Sequence, residues 1–154
     1  MATYYFAYGA DMDAEELDLQ HDRRRQPRLR FAKSTPAVLK GYRLICDIAS
    51  KSRRGGIFNV IPDPLSVVHG MIYELHPGDT ISITAMKEGD VAEYALSLLP
   101  VKTRKGEDIP ALVLHAKEDK KQLKPSNTYL DIVIRAARQH GLPSEWVQHL
   151  ETLR

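Results

Sequence analysis

The sequence predicts an α+β fold whose strands close, or nearly close, into a small β-barrel with a few helices beside it. Three observations carry this. Apolar, β-rich runs recur from the start of the chain to residue 116, set apart by Gly and Pro turn signals. Helical spacing is confined to short segments and to the stretch from residue 127 onward. No internal repeat or low-complexity tract divides the 154 residues, which suit one domain, 1–154.

Residues 4–7, Tyr-Tyr-Phe-Ala, form the first strand, and Gly9 ends it. Residues 12–20 read as a short helix with Asp11 as its N-cap. A strand that turns at a glycine into a helix aims several backbone N–H groups at one point, which suits a carboxylate or phosphate. The same arrangement also serves as an ordinary strand-to-helix connection. Residues 21–36 are basic, punctuated by Pro27, and irregular. Residues 37–47 are a strand or bent strand pair broken at Gly41, and residues 50–56 a polar loop. The strand 56–61 stops at Pro62-Asp63-Pro64. The β-branched run 67–75 carries Gly70, the mark of a bulge or of close approach by another backbone.

Pro77-Gly78-Asp79-Thr80 turns into a helix over 81–87, and Gly89 stands where a left-handed residue ends it. Strands 94–103 and 110–116 are joined by a hairpin-type turn at Lys105-Gly106. Residues 117–124 are charged and exposed. Leu130, Val133, Ile134 and Ala137 give 127–138 helical spacing, and Gly141-Leu142-Pro143 stops that helix. Ser144 opens a last one, with Trp146 as a core anchor and Leu150 and Leu153 on its side.

Composition excludes several classes. With 43% hydrophobic residues the chain buries a real core, and its 27% charged residues make an ordinary soluble surface. No run approaches a membrane span, and Met1-Ala2-Thr3 has no secretory pattern. A formal charge of +2 gives no ground for a nucleic-acid partner. Arg23, Arg24, Arg25, Arg28 and Arg30, and the pair Arg53-Arg54, read as solvated flanks or as a patch that steers an anionic substrate. Cys46 is the single cysteine, so an intramolecular disulfide is impossible. It lies in an apolar run and reads as a small buried hydrophobe, and the natural setting is a reducing cytoplasm. The six scattered histidines show no metal-ligand spacing, and phosphate-loop, dinucleotide, zincin and serine-elbow motifs are missing. No metal or cofactor is expected.

Among single residues Glu88 stands out, at a helix end just before Gly89. A partly buried carboxylate there feels the negative end of the helix dipole, which raises its pKa toward the range of a general base. An exposed helix-end glutamate has the same sequence.

The ordered set Tyr5-Phe6-Ala7-Tyr8-Gly9-Ala10-Asp11-Met12, Leu39-Lys40-Gly41-Tyr42, Gly55-Gly56-Ile57-Phe58-Asn59, Val67 to Leu75, Glu88-Gly89, Tyr94, Tyr129 and His140-Gly141-Leu142-Pro143 resembles the γ-glutamylcyclotransferase-like family, which includes AIG2-like proteins and a butirosin-biosynthesis cyclotransferase. The resemblance runs over nearly the whole chain. It implies a small mixed β-barrel flanked by helices, with one open cavity. It further implies cyclisation of a γ-glutamyl group to 5-oxoproline with release of the attached amine, without a cofactor. By position it implies Glu88 as general acid/base, a substrate loop of Tyr5, Phe6, Ala7, Tyr8, Gly9, Ala10 and Asp11, and an aromatic wall of Tyr94 and Tyr129. For Tyr129 a plain core role stays open. Backbone N–H groups of Gly9 to Asp11 would hold the substrate's α-carboxylate.

The chain departs from the family pattern where Ala10 replaces a serine and Asp11 an asparagine. An inward Asp11 would repel a carboxylate about 4 Å away by about 4 kcal/mol at an effective dielectric near 20. An Asp11 that caps the helix would not. The alternative to an enzyme is a small-molecule-binding or regulatory module on the same barrel. Oligomeric state is left open.

Overall fold

The computed structural model describes residues 2–23, 25, 33–76, 94–119 and 121–154. The strands β1 (Thr3–Ala7), β2 (Lys33–Ser50), β3 (Gly55–Leu75), β4 (Tyr94–Thr103) and β5 (Asp108–Ala116) close into a barrel in the order β1-β3-β2-β4-β5. The barrel is mixed: β1 runs parallel to β5 and every other neighbouring pair is antiparallel. A 3-10 turn at Ala10–Met12 leads from β1 into α1 (Ala14–Arg23). The helices α2 (Asn127–Gln139) and α3 (Ser144–Glu151) complete the described fold, which is α+β. Among the described residues no helix is long and apolar enough to cross a membrane.

β1 is the strand that closes the ring. It holds Tyr5 against Tyr73 of β3 on one side and against Leu112 of β5 on the other. Pairing on both edges satisfies its backbone groups, and burial deepens along the strand to Phe6 and Ala7, which are wholly buried. Gly70 lies where β3 passes β1. A Cβ built there would sit 2.2 Å from the Ala7 carbonyl oxygen and 2.8 Å from the Phe6 ring. The glycine inside that apolar run thus marks a close backbone approach.

The core is continuous from barrel to helices. Phe6, Met12, Leu39, Met71 and Ile72 meet Leu130 and Ile134 of α2 and Leu150 of α3 within it. Ser126 caps α2, its hydroxyl accepting from the Tyr129 N–H at 3.3 Å. Trp146 is buried, with His69 and His149 rings 5.3 and 5.4 Å away.

Several boundaries differ from the sequence expectation, each for a local reason. β2 starts at Lys33, inside the stretch read as irregular, because residues 33–36 pair with Glu74 through Met71. Gly41 bends β2 without ending it: its φ of +81° absorbs a register shift between Lys40 and Tyr42. Opposite, Pro62-Asp63-Pro64 bulges out of β3 but does not break it. The Asp63 carboxylate accepts from the Leu65 N–H and the Ser66 hydroxyl, at 3.1 and 2.7 Å, and holds the bulge. α1 spans Ala14–Arg23 and not 12–20, and its cap is Asp13, whose Oδ1 accepts from the Glu16 N–H at 2.9 Å. Asp11 does not cap it. β5 begins at Asp108, and the β4–β5 turn has four residues, Arg104 to Glu107. The expected helix 81–87, Gly89 and Glu88 lie outside the described residues.

Asn59 is a feature that sequence reading passed over. It has no solvent exposure, and its amide donates to the Ala116 carbonyl and accepts from the Ala116 N–H, both at 3.0 Å. It ties β3 to the end of β5 across the barrel. We expect Asn59→Ala to destabilise the fold by about 2–4 kcal/mol, since buried polar groups lose their partners. Urea unfolding monitored by Trp146 fluorescence measures it.

Candidate active site

The loop after β1 builds one wall of a half-open cavity. Tyr5, Tyr8, Gly9, Ala10 and Asp11 line it together with Glu16, Leu17, Gln20 and His21 of α1. Arg53, Ile57, Phe58, Tyr94, Leu114 and Tyr129 complete the lining. Its water-accessible space of about 70 Å³ exceeds by several-fold what one water needs, so a small-molecule group fits. Of the residues expected from sequence, Tyr5, Tyr8, Gly9, Ala10, Asp11, Tyr94 and Tyr129 converge here. Phe6 and Ala7 pack into the core and are not part of the lining.

Asp11 takes a position that neither sequence expectation foresaw. Its Oδ1 accepts from the Gly9 N–H at 3.1 Å, and its Oδ2 accepts from the Tyr5 hydroxyl. The Tyr73 hydroxyl donates to the Asp11 carbonyl at 3.1 Å. The side chain therefore folds back over its own loop and takes up the Gly9 N–H, a donor expected to serve a ligand's carboxylate. Burial first, and the Asp11 charge second, push the Tyr5 and Tyr8 hydroxyls well above the usual phenol range. The same causes raise Tyr73. These phenols stay protonated at neutral pH and act as donors. The Tyr8 hydroxyl donates to the Leu114 carbonyl at 2.6 Å, which fixes the loop to β5.

Tyr129 links several of these groups. Its ring lies 5.4 Å from that of Phe58, and its hydroxyl accepts from the Phe58 N–H at 3.3 Å. It reaches Gly9 so closely that a Cβ there would meet the hydroxyl oxygen at 2.8 Å. Tyr129 is both core and cavity wall, since it is 3% exposed. The Arg53 guanidinium stands 5.5 Å over the Tyr129 ring and is ion-paired with Glu16. Both partners are largely buried, with side chains 8% and 11% exposed. The Gln20 amide donates to the same Glu16 carboxylate at 2.9 Å. The sequence left Arg53 as a solvated flank or as part of an anion-steering patch, and gave no sign of Glu16. Their 37-residue separation leaves no local signal.

Below the loop, Arg135 of α2 pairs with Asp13 at 3.0 Å, and the His140 Nε2–H donates to the Met12 carbonyl at 2.7 Å. The 3-10 turn is thereby clamped to α2. Among the described residues, no group of three or more His, Cys, Asp or Glu has the arrangement of a metal site.

Residues 67–150, more than half of the chain, match the model of the AIG2-like family. The chain belongs to the AIG2-like family. Over 153 residues it is 24% identical to the gamma-glutamylcyclotransferases of Mus musculus and Homo sapiens, covering 97% of this chain and 77% of each relative. A solved structure of a gamma-glutamyl cyclotransferase superposes with a TM-score of 0.82 at 21% identity, covering all of this chain and 89% of that one. The AIG2-like barrel and its loop cavity are thus set in a γ-glutamylcyclotransferase-like fold.

Two outcomes follow from the geometry. Gly9→Ala should displace the Tyr129 hydroxyl and lower ligand affinity by about tenfold or more, as misplacement of site groups does. Calorimetric titration with a ligand of the cavity reads this. Alkaline pH should destabilise the fold. Burial, with Asp47 adding to it, pushes the Cys46 thiol from 9.0 up to about 12. Above about pH 9 the unfolded chain has lost protons that the folded chain keeps. Stability is therefore full below that pH and falls as pH rises toward 12. The buried tyrosines add the same sign from about pH 10. Cys46→Ala should delay the onset in urea unfolding between about pH 8 and 11.

Proposed function

We propose that this chain is a γ-glutamylcyclotransferase-type enzyme, which cyclises a γ-glutamyl group to 5-oxoproline and releases the amine or amino acid attached to it. The observation that carries this is the loop cavity between Tyr8 and Tyr129, in a family member similar along nearly its whole length to proteins named gamma-glutamylcyclotransferase. The substrate brings both reacting groups. Its α-amine nitrogen attacks its own γ-carbonyl carbon, a C–N bond forms, and the bond to the leaving nitrogen breaks. The α-amine is protonated at neutral pH and cannot attack, so a base must first take a proton and later return one to the leaving nitrogen. Glu88 is the residue proposed for both transfers. The walls of the cavity hold the chain folded into attack geometry, which is where most of the rate gain of an intramolecular reaction arises. Donors of the loop would stabilise the developing oxyanion. Neither a metal nor a cofactor takes part in this scheme, and a cytoplasmic setting accords with the single thiol.

One observation favours a second reading, a binding or regulatory module: Asp11 occupies the Gly9 N–H that an anionic substrate would seek.

The test is 5-oxoproline release from a panel of γ-glutamyl-amino acids, γ-glutamyl-amines and glutathione. We expect product from at least one, reduced by about 100-fold or more in Glu88→Gln. A folded wild-type protein that some member of the panel stabilises thermally, with no product from any, would establish the module instead.

A further inference from the structure

His21 is a buried polar side chain on the cavity lining whose hydrogen bonding is only half complete. It is 3% exposed, and it lines the cavity together with Glu16, Leu17 and Gln20 of the same helix. These four follow the i, i+1, i+4, i+5 spacing of one helix face. The face begins near the loop after β1, and His21 is its far end. From Ala14, at the head of α1, to His21 the helix rises about 10 Å.

One contact fixes the chemistry of the ring. Nδ1 lies 2.7 Å from the Leu17 carbonyl oxygen. A carbonyl only accepts, so Nδ1 carries the proton, and the neutral ring has its lone pair on Nε2. Nε2 is buried and has no hydrogen-bond partner among the described residues. A buried acceptor that has lost water and gained no donor is unfavourable, and such a group on a cavity lining is completed when a ligand brings the donor. With the reacting head of a γ-glutamyl substrate at the loop after β1, the γ-carbonyl lies further along the cavity, and the departing amine reaches furthest.

We infer that His21 is a specificity-determining residue for the released amine: its Nε2 lone pair accepts a hydrogen bond from an N–H or O–H donor that this amine carries beyond the amide to be broken. The inference rests on the γ-glutamyl reading of the cavity and adds to it the class of leaving group, an amine or amino acid with a donor on its own side chain. His21 takes no part in the proton transfers of the cyclisation. It touches only the half of the substrate that leaves.

γ-Glutamyl amides of matched size separate a donor from an acceptor and from bulk. The 2-hydroxyethyl amide carries a donor, the 2-methoxyethyl amide an acceptor alone and the n-propyl amide neither; each is paired with its homologue one methylene longer. Release of 5-oxoproline gives kcat/KM for wild type, and calorimetric titration into Glu88→Gln gives affinity with turnover suppressed. The hydroxy amide should be favoured over its methoxy and alkyl counterparts by about fivefold or more at one of the two lengths. His21→Phe should erase that preference and leave the alkyl amides as they are in wild type. His21→Gln, which restores an acceptor, should recover part of it. Should His21→Phe fail to fold, His21→Leu takes its place. A preference that survives loss of the imidazole, or equal weakening of every amide, would overturn the inference, as would binding without preference or no binding to folded protein. The preference in binding without 5-oxoproline release would remove the cyclotransferase reading and keep the role of His21. Release at equal kcat/KM from all the amides would do the reverse.

Discussion

Closure of the barrel through β1 is the constraint on which the rest depends. This five-residue strand pairs antiparallel with β3 along its whole length but parallel with β5 at only two registered positions. A strand paired on both edges has its backbone groups satisfied, and it releases the chain at one end of the barrel. The exit at Tyr8 is therefore fixed, and the loop that follows is held against β5 through the Tyr8 hydroxyl and against α2 through Gly9 and Tyr129. Asn59 supports the same end from within by satisfying both backbone groups of Ala116. The cavity is a consequence of this closure: the loop, α1, Arg53 of the β2–β3 turn and Tyr129 of α2 line the opening.

Charge then decides what the cavity can accept. Burial keeps Tyr5, Tyr8 and Tyr73 protonated, so they donate to a carboxylate and two carbonyls without adding negative charge. Asp11 supplies a fixed negative charge on the loop. Arg53 supplies a positive group whose orientation is set by a buried ion pair with Glu16. A largely buried ion pair contributes little net stability over an apolar pair of the same shape, whereas removing one partner is strongly destabilising.

The barrel was legible in the sequence because its signals are local. Gly70 inside a β-branched run announced a close approach, and the paired runs ending in Lys105-Gly106 announced a hairpin. Trp146 read as a core anchor and is one. Prolines misled where a bulge replaced a strand end, since Asp63 holds the Pro62–Pro64 excursion inside β3. The cavity lining was legible in part, through the loop residues and Tyr94 and Tyr129. Its charges were legible only as alternatives. Whether Asp11 caps a helix or folds back depends on Tyr5 and on Asp13 taking the cap, and Arg53 becomes a site residue only when α1 brings Glu16 to it.

The most direct measurement is a crystal structure of the protein grown with 5-oxoproline, the product of the proposed reaction. The account predicts the ring seated in the loop cavity between Tyr8 and Tyr129. A ring held elsewhere on the barrel would contradict it.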